Sequence, residues 1–293
     1  GNLALANGTG AASNYSLNST VINIAKRVLT SSGSKTYDAN TNALAGAITL
    51  SNLVSGEALN HSGTATTSSA NAGSYTISNL SGISIADGSG GAASNYTLTG
   101  GTHNFTVNPK VVSIQGNKTY DGNATISTGN ITSVVGTVGT QTLVISGGSG
   151  TVSSANAATY SSSGINVGTL TLGNGSNGGL AANYTLTGGT HQLTVNQRPL
   201  NATLARQYDG TTNAAGSDLS SFDALQGGET LTLSGSGTAA NDNVANGISV
   251  SSLGSLALVN GTGLASNYSL NSAAINITQR VLNSSGSKTY DAN

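Results

Sequence analysis

The stretch RVLTSSGSKTYD, from Arg27 to Asp38, decides how this chain is read. It returns as KVVSIQGNKTYD from Lys110 to Asp121, as RPLNATLARQYD from Arg198 to Asp209, and as RVLNSSGSKTYD from Arg280 to Asp291. Each copy opens on a cation and carries a second one eight positions later: Arg27 and Lys35, Lys110 and Lys118, Arg198 and Arg206, Arg280 and Lys288. Tyr follows two residues on and Asp comes next, at Tyr37 and Asp38, Tyr120 and Asp121, Tyr208 and Asp209, Tyr290 and Asp291. The chain has nine lysines and arginines, and eight of them sit in these four segments; the ninth, Lys26, adjoins the first. Cations scattered over an ordinary surface would not be confined in this way. They mark one structural position, repeated.

Parts of the segment alternate apolar with polar residues, as at Val112 and Ile114 or Leu200 and Leu204, which reads as a β-strand. Side chains along a strand repeat every two residues, so spacings of eight and ten place both cations and the Tyr on one face. Gly at 33, 116 and 286 allows a bulge that would break this register. The Asp opens a turn, because its carboxylate can accept from backbone N–H groups two residues on. The Tyr is expected to bury its ring in the core and to find a partner for its hydroxyl.

Two landmarks give one period. The Tyr of the Tyr-Asp pair falls at 37, 120, 208 and 290, in steps of 83, 88 and 82. Asn-Tyr-Ser/Thr-Leu starts at Asn14, Asn95, Asn183 and Asn267, in steps of 81, 88 and 84. Residues 1–40 and 254–293 are identical at 32 of 40 positions, so three repeats also form a larger unit of 253 residues. The domain reading is therefore the end of one module at 1–25, whole modules at 26–108, 109–196 and 197–278, and the beginning of another at 279–293. This looks like part of a longer array. Each whole module is expected to hold five to seven short strands, and residues 1–25 the last two strands of their module. The fold class is all-β, a tandem array of small modules joined end to end in a rod. Two arrangements of each module stay open: an immunoglobulin-like sandwich, or a β-grasp with one helix. No Gly/Ser-rich linker separates the modules, and Pro109 and Pro199 stiffen the joints.

Composition excludes several classes of function. Charged residues make up 6% of the chain and the net charge is −1. That gives no electrostatic case for a nucleic-acid partner or an anionic membrane, and it leaves little repulsion between copies of the chain. There is no Cys, so disulfides and thiol chemistry are out. No run of about 18 apolar residues is present, so no membrane insertion by a helix is expected.

The residues offer no catalytic set. His103 and His191 share a slot in GGTHNFTV and GGTHQLTV, and the third module holds Ala273 there, which points to structural histidines at a strand edge. The carboxylates show no calcium-loop spacing, and Gly-rich GNGSNGG at 173–179 lacks the Lys-Ser/Thr of a phosphate loop. Asp218, Asp223 and Glu229 form a weak acid/base candidate at best. No enzyme activity, cofactor or metal is expected. Tyr75, Tyr96, Tyr160 and Tyr184 lie in alternating patterns and read as core residues rather than sugar-stacking platforms.

Taken together, Lys-x-Tyr-Asp-Gly-Thr-Thr, Asn-Ala-Gly-x-Tyr at 71–75, Ala-x-Asn-Tyr-Thr-Leu and a final strand running into a basic residue resemble the YDG/MBG-type repeats of large secreted bacterial adhesins of the filamentous-haemagglutinin kind. RQYDGTTNAAG at 206–216 and AANYTLTGGTHQLTVNQRPL at 181–200 carry the resemblance most closely. Ala39 and Ala292 depart from it at the turn Gly, and NDNVANG at 241–247 lacks the Tyr. The resemblance implies an extracellular or cell-surface location, a role as stalk or filament in adhesion or biofilm, and no catalytic residues. Its expected partners are neighbouring modules and other copies of the chain, with cell-surface or matrix polysaccharide as a further candidate. The alternative reading is a set of glycan- or host-surface-binding modules.

Overall fold

The cation-to-Tyr-Asp stretch forms one strand in the third repeat, Arg198–Gln207, and is split in the other two into a two-residue strand and a longer one, whose alternation decides what faces inward. Along Ser113–Thr119, Ile114 and Lys118 are buried while Gln115 and Asn117 face solvent, and Tyr120 is buried on the same side as Lys118. In the computed structural model, which describes residues 4–17, 22–77 and 80–291, every helix is a three-residue 3-10 turn and the rest of the regular structure is strand. The chain separates into two compact units, Gly1–Pro109 and Lys110–Asn293.

The first unit holds one whole repeat. Its main sheet runs in the order Ile48–Ser51, Thr30–Thr36, His103–Asn108, Gly73–Thr76. The first and last strands of the repeat are the two central ones, and they run parallel, from Ser31 beside His103 to Thr36 beside Asn108. A second sheet pairs Asn42–Leu44, Leu59–Thr66 and Ile83–Asp87. Leu29, Ala43, Ile48, Ala65, Phe105 and Val107 are buried, so residues from both sheets fill the interior.

The second unit holds two repeats built on the same plan. In one, Ile131–Val135, Ser113–Thr119, Gln192–Asn196 and Ala158–Ser161 form the main sheet, again with the first and last strands parallel at its centre. In the other, Arg198–Gln207 and Tyr268–Thr278 are parallel over their whole length, from Arg198 beside Tyr268 to Gln207 beside Thr278. Only Gln197 lies between the last strand of one repeat and the first strand of the next. A parallel first and last strand mean that the chain enters each repeat at one end and leaves at the other.

Four expectations need correction. The repeat from 109 to 196 contains eleven short strands rather than five to seven. The runs are split because 3-10 turns such as Thr128–Asn130 carry the chain from one sheet to the other. Gly148, at φ +84, likewise kinks Leu143–Gly147 away from Ser149–Val152. No α-helix occurs among the described residues, so the β-grasp alternative falls. Residues 4–17 form no strand, only the 3-10 turn Ala12–Asn14; residues 18–21 of that expected strand lie outside the described residues. The histidines are not at an edge: His103 and His191 are buried at the start of a central strand.

Those histidines have a local task. The Nε2–H of His103 donates to the Leu98 carbonyl at 2.8 Å, and that of His191 to the Leu186 carbonyl at 3.0 Å. Nδ1 of His191 accepts from the Ile114 N–H at 3.2 Å, and burial pulls its pKa down, which suits the neutral ring. Each ring thus ties down the Leu-Thr-Gly-Gly loop before the last strand. In the third repeat that loop is two residues shorter, and Tyr268–Thr278 runs through with only a register shift opposite Leu200 and Asn201. The loop carbonyl no longer needs a donor, and Ala273 suffices.

Candidate functional site

The second cation of each pair closes the Tyr-Asp turn. Lys118, whose side chain is 4% exposed, reaches Asp121 Oδ1 at 2.8 Å, the Asn123 carbonyl at 3.0 Å and the Thr125 carbonyl at 3.0 Å. Lys35 does the same with Asp38 at 2.8 Å and the Asn40 carbonyl at 2.7 Å. Arg206 pairs with Asp209 and donates to the Thr211 carbonyl. A turn that leaves several carbonyls converging on one point is completed by a compact cation with several donors. Burial alone would raise the carboxyl of Asp121. The Lys118 ammonium and the Asn123 N–H outweigh that and hold it below the usual carboxylate range. The turn itself is left-handed at its tip, with Gly122 at φ +77, Gly210 at +78 and Ala39 at +64.

The first cation stands beside the other landmark. Arg27, Lys110 and Arg198 lie in register with Tyr96, Tyr184 and Tyr268, the tyrosines of the Asn-Tyr element. The Arg27 Nε donates to the Asn52 carbonyl at 2.6 Å and the Arg198 Nε to the Ala224 carbonyl at 2.7 Å. Each of these tyrosines also donates to a Glu or Gln of its own repeat: Tyr96 to Glu57, Tyr184 to Gln141, and Tyr268 to Glu229 at 2.5 Å.

In the second unit these elements meet across the boundary between two repeats. Tyr120, at the end of the first strand of one repeat, donates its hydroxyl to Glu229 Oε1 of the next at 2.5 Å. One carboxylate therefore holds two tyrosines from two repeats, and their rings pack edge to face with centroids 5.3 Å apart. Burial first, and the Glu229 carboxylate second, push the Tyr120 hydroxyl up to about 12. The same two causes raise Tyr268. Beside this clamp, the Asn267 side chain accepts on Oδ1 from the Ala157 N–H at 2.8 Å and donates from Nδ2 to Asn156 Oδ1 at 3.0 Å. Asn267 is 1% exposed. Around the polar contacts lies one apolar cluster that includes Ile126, Leu193 and Val195 from one repeat and Leu200, Leu231 and Tyr268 from the other. The third repeat also has an interior of its own around Leu204, Ile248 and Ile275.

The sequence landmarks are thus gathered at a joint. Tyr120, Asp121, Lys118 and Arg198 are brought together there, with Arg198 Nη1 at 3.5 Å from the Tyr120 carbonyl. Lys110 lies in a separate two-residue strand, Lys110–Val111, beside Tyr184. Tyr37 is buried, and Lys35 and Asp38 close its turn. Tyr208 is 40% exposed. The last copy forms no strand: Arg280 and Lys288 are exposed, Tyr290 is 90% exposed, and Lys288 keeps a 3.3 Å contact with Asp291. Tyr75 and Tyr160 are half-buried and donate to the carbonyls of Asn71 and Asn156, tying down their own turns. Reading residues one repeat at a time misses Glu229, Asn156 and Asn267 as partners. The available signal was that Glu57 and Glu229 both stand 39 residues before an Asn-Tyr tyrosine.

Chemically the arrangement fastens two neutral hydroxyls to one carboxylate in a partly buried setting, with an amide pair beside it. Among the described residues no group of three or more His, Cys, Asp or Glu is placed to hold a metal ion. Among the same described residues no helix is long and apolar enough to cross a membrane.

Comparison with known proteins adds a family. The YDG domain model matches three times in tandem, over residues 24–104, 103–192 and 190–276. Neither the curated proteins nor the solved structures yield a match. The matched segments follow the three repeats described above and cover most of the chain, which belongs to the YDG domain family.

Proposed function

We propose that this chain is a structural region of an extracellular bacterial adhesin or biofilm-matrix protein, in which YDG repeats build a stiff stalk or filament. The observation that carries the reading is the joint between the second and third repeats. A single residue, Gln197, connects their strands, and a shared apolar cluster with the Tyr120–Glu229–Tyr268 clamp fixes their contact. A flexible tether would need many residues free of such contacts. The nearly uncharged surface favours contact with further copies of the chain or with neutral matrix polysaccharide.

Small-angle scattering of the chain tests this. The expected result is an elongated particle. A radius of gyration near about 19 Å, the value for a compact chain of this length, would overturn it.

A further inference from the structure

In the first two repeats the main sheet ends on a strand that holds a tyrosine, Gly73–Thr76 in one and Ala158–Ser161 in the other. Just past the second of these, the Ser162 N–H donates to the His191 carbonyl at 2.9 Å. Bonding alternates along an antiparallel ladder, so Tyr160 also bonds inward, to Leu193, while the N–H and C=O of Thr159 and Ser161 point away from the sheet. Neither residue makes a backbone hydrogen bond among the described residues. This is the middle repeat, with a repeat on either side in the chain, and both residues are exposed there. In the first repeat the Ile77 N–H donates to the His103 carbonyl at 2.7 Å and sets the same alternation. Ser74 and Thr76 are its outward, exposed pair, on either side of Tyr75. Open edges are ordinarily guarded by charge, proline or a bulge. Nothing of the kind guards these: no Asp, Glu, Lys, Arg or Pro occurs between Glu57 and Asp87, or between Asp121 and Arg198. The third repeat is built differently. Its register shifts between Ala245 and Ile248, Gly247 stands at φ +69, and the Gly247 N–H is taken by Asn276 Oδ1 at 2.7 Å. Ile248, opposite Ile275, fills the place of the tyrosine. The tyrosine therefore goes with the open edge and is missing from the bulged one.

We propose that each open edge pairs antiparallel with the same edge of a second copy of the chain, centred on its tyrosine. The occupant that matches alternating N–H and C=O groups is another strand, and this edge is complementary to itself. With Tyr160 opposite Tyr160, Thr159 of each chain lies opposite Ser161 of the other, and each such pair exchanges its N–H and C=O groups in both directions. The half-buried tyrosines become a cross-strand pair. Two main sheets are thereby joined into one, through a contact that uses the same surface on both molecules. No like charges oppose the approach. The first repeat supplies a second edge of this kind, so each chain has two points of lateral attachment. The inference deepens the stalk reading, since it names the surface by which stalks lie side by side.

Disulfide trapping tests it, because the chain has no Cys of its own. Chains carrying Thr159→Cys are mixed with chains carrying Ser161→Cys and oxidised. In the proposed register these two positions face each other with Cα atoms about 5.5 Å apart, within reach of a disulfide, whereas like positions lie on a diagonal about 7–8 Å apart. The mixed disulfide should therefore form in excess of both self-disulfides. Sedimentation across a concentration series should show association for the unaltered chain. Ser74→Lys together with Thr159→Lys, which sets a cation on each exposed edge, should abolish it, and Ser74→Thr together with Thr159→Ser should preserve it. A chain that stays monomeric at every concentration overturns the proposal. So does association that survives the two lysines, or disulfides formed without preference, since either would mean another face. Scattering reads the stalk separately: an elongated chain that never associates sinks the pairing alone, and a compact chain that yields the mixed disulfide sinks the stalk alone.

Discussion

Residues 27–38 and 280–291 differ at one position of twelve, Thr30 against Asn283, yet they are in different states. In the first, Leu29 is fully buried, Tyr37 is 4% exposed, and Thr30–Thr36 is a strand. In the second, Leu282 is 88% exposed, Tyr290 is 90% exposed, and no strand forms. The first copy has Ile48–Ser51 on one side and His103–Asn108 on the other; the second has neither. The opposite end of a repeat behaves the same way. NYSLNSAAINI belongs to the strand Tyr268–Thr278 beside Arg198–Gln207, whereas Tyr15 and Leu17 of NYSLNSTVINI are exposed and not in a strand. No first strand precedes that second stretch within these residues. The lesson is that Ser, Gly and Lys have little strand preference of their own, and the parallel partner makes the strand.

The sharpest way to break the comparison is to weaken that partner. Phe105 lies opposite Gly33 in the last strand and is 1% exposed. Phe105→Ala should cost about 3–5 kcal/mol. Backbone amide exchange over residues 30–36 should then approach that of residues 283–289. Unchanged protection would show that the segment holds itself together.

A second test uses the tyrosines. Tyr120 is 3% exposed and its pKa stands at about 12, against 10.0 for an ordinary tyrosine. A raised folded-state value means that the stability is whole below pH 10 and is lost as pH rises to about 12. Two pH units correspond to about 2.7 kcal/mol at most. Denaturant midpoints measured across that window should fall. Glu229→Gln should shrink the fall, because it removes the second of the two causes.

The smallest effect comes from one methyl group. A Cβ on Gly33 would meet the Ala47 carbonyl oxygen at 2.2 Å and the Phe105 ring at 2.9 Å, while one on Gly286 would meet nothing within 4 Å. Gly33→Ala should cost about 1–3 kcal/mol, and Gly286→Ala should stay within about 0.5 kcal/mol. Thermal unfolding of the two variants side by side reads the difference; equal midpoints would contradict the structure.

Much of this was legible in the sequence. The strand character of Ser113–Thr119 and the shared face of Lys118 and Tyr120 follow from alternation, and the repeat follows from two landmarks with one spacing. The meeting of Tyr120 with Glu229 was not legible, since they are 109 positions apart and belong to different repeats. A period says that units recur; it does not say which of their ends touch. The number of strands was not legible either, because the chain changes sheets at Gly148 and at the turn Thr128–Asn130, and the local pattern does not say which sheet a short strand joins. The role of the second cation was not legible beyond its pairing with the Asp three positions on, since the other groups it gathers include backbone carbonyls that any residue supplies.

The parallel placing of first and last strands also bears on how a repeat carries tension. In the third repeat, pulling on the chain at Arg198 and at Thr278 would slide Arg198–Gln207 and Tyr268–Thr278 along each other. The backbone bonds between them would then be sheared together and share the load, instead of being peeled apart one rung at a time as in a hairpin pulled open from its ends.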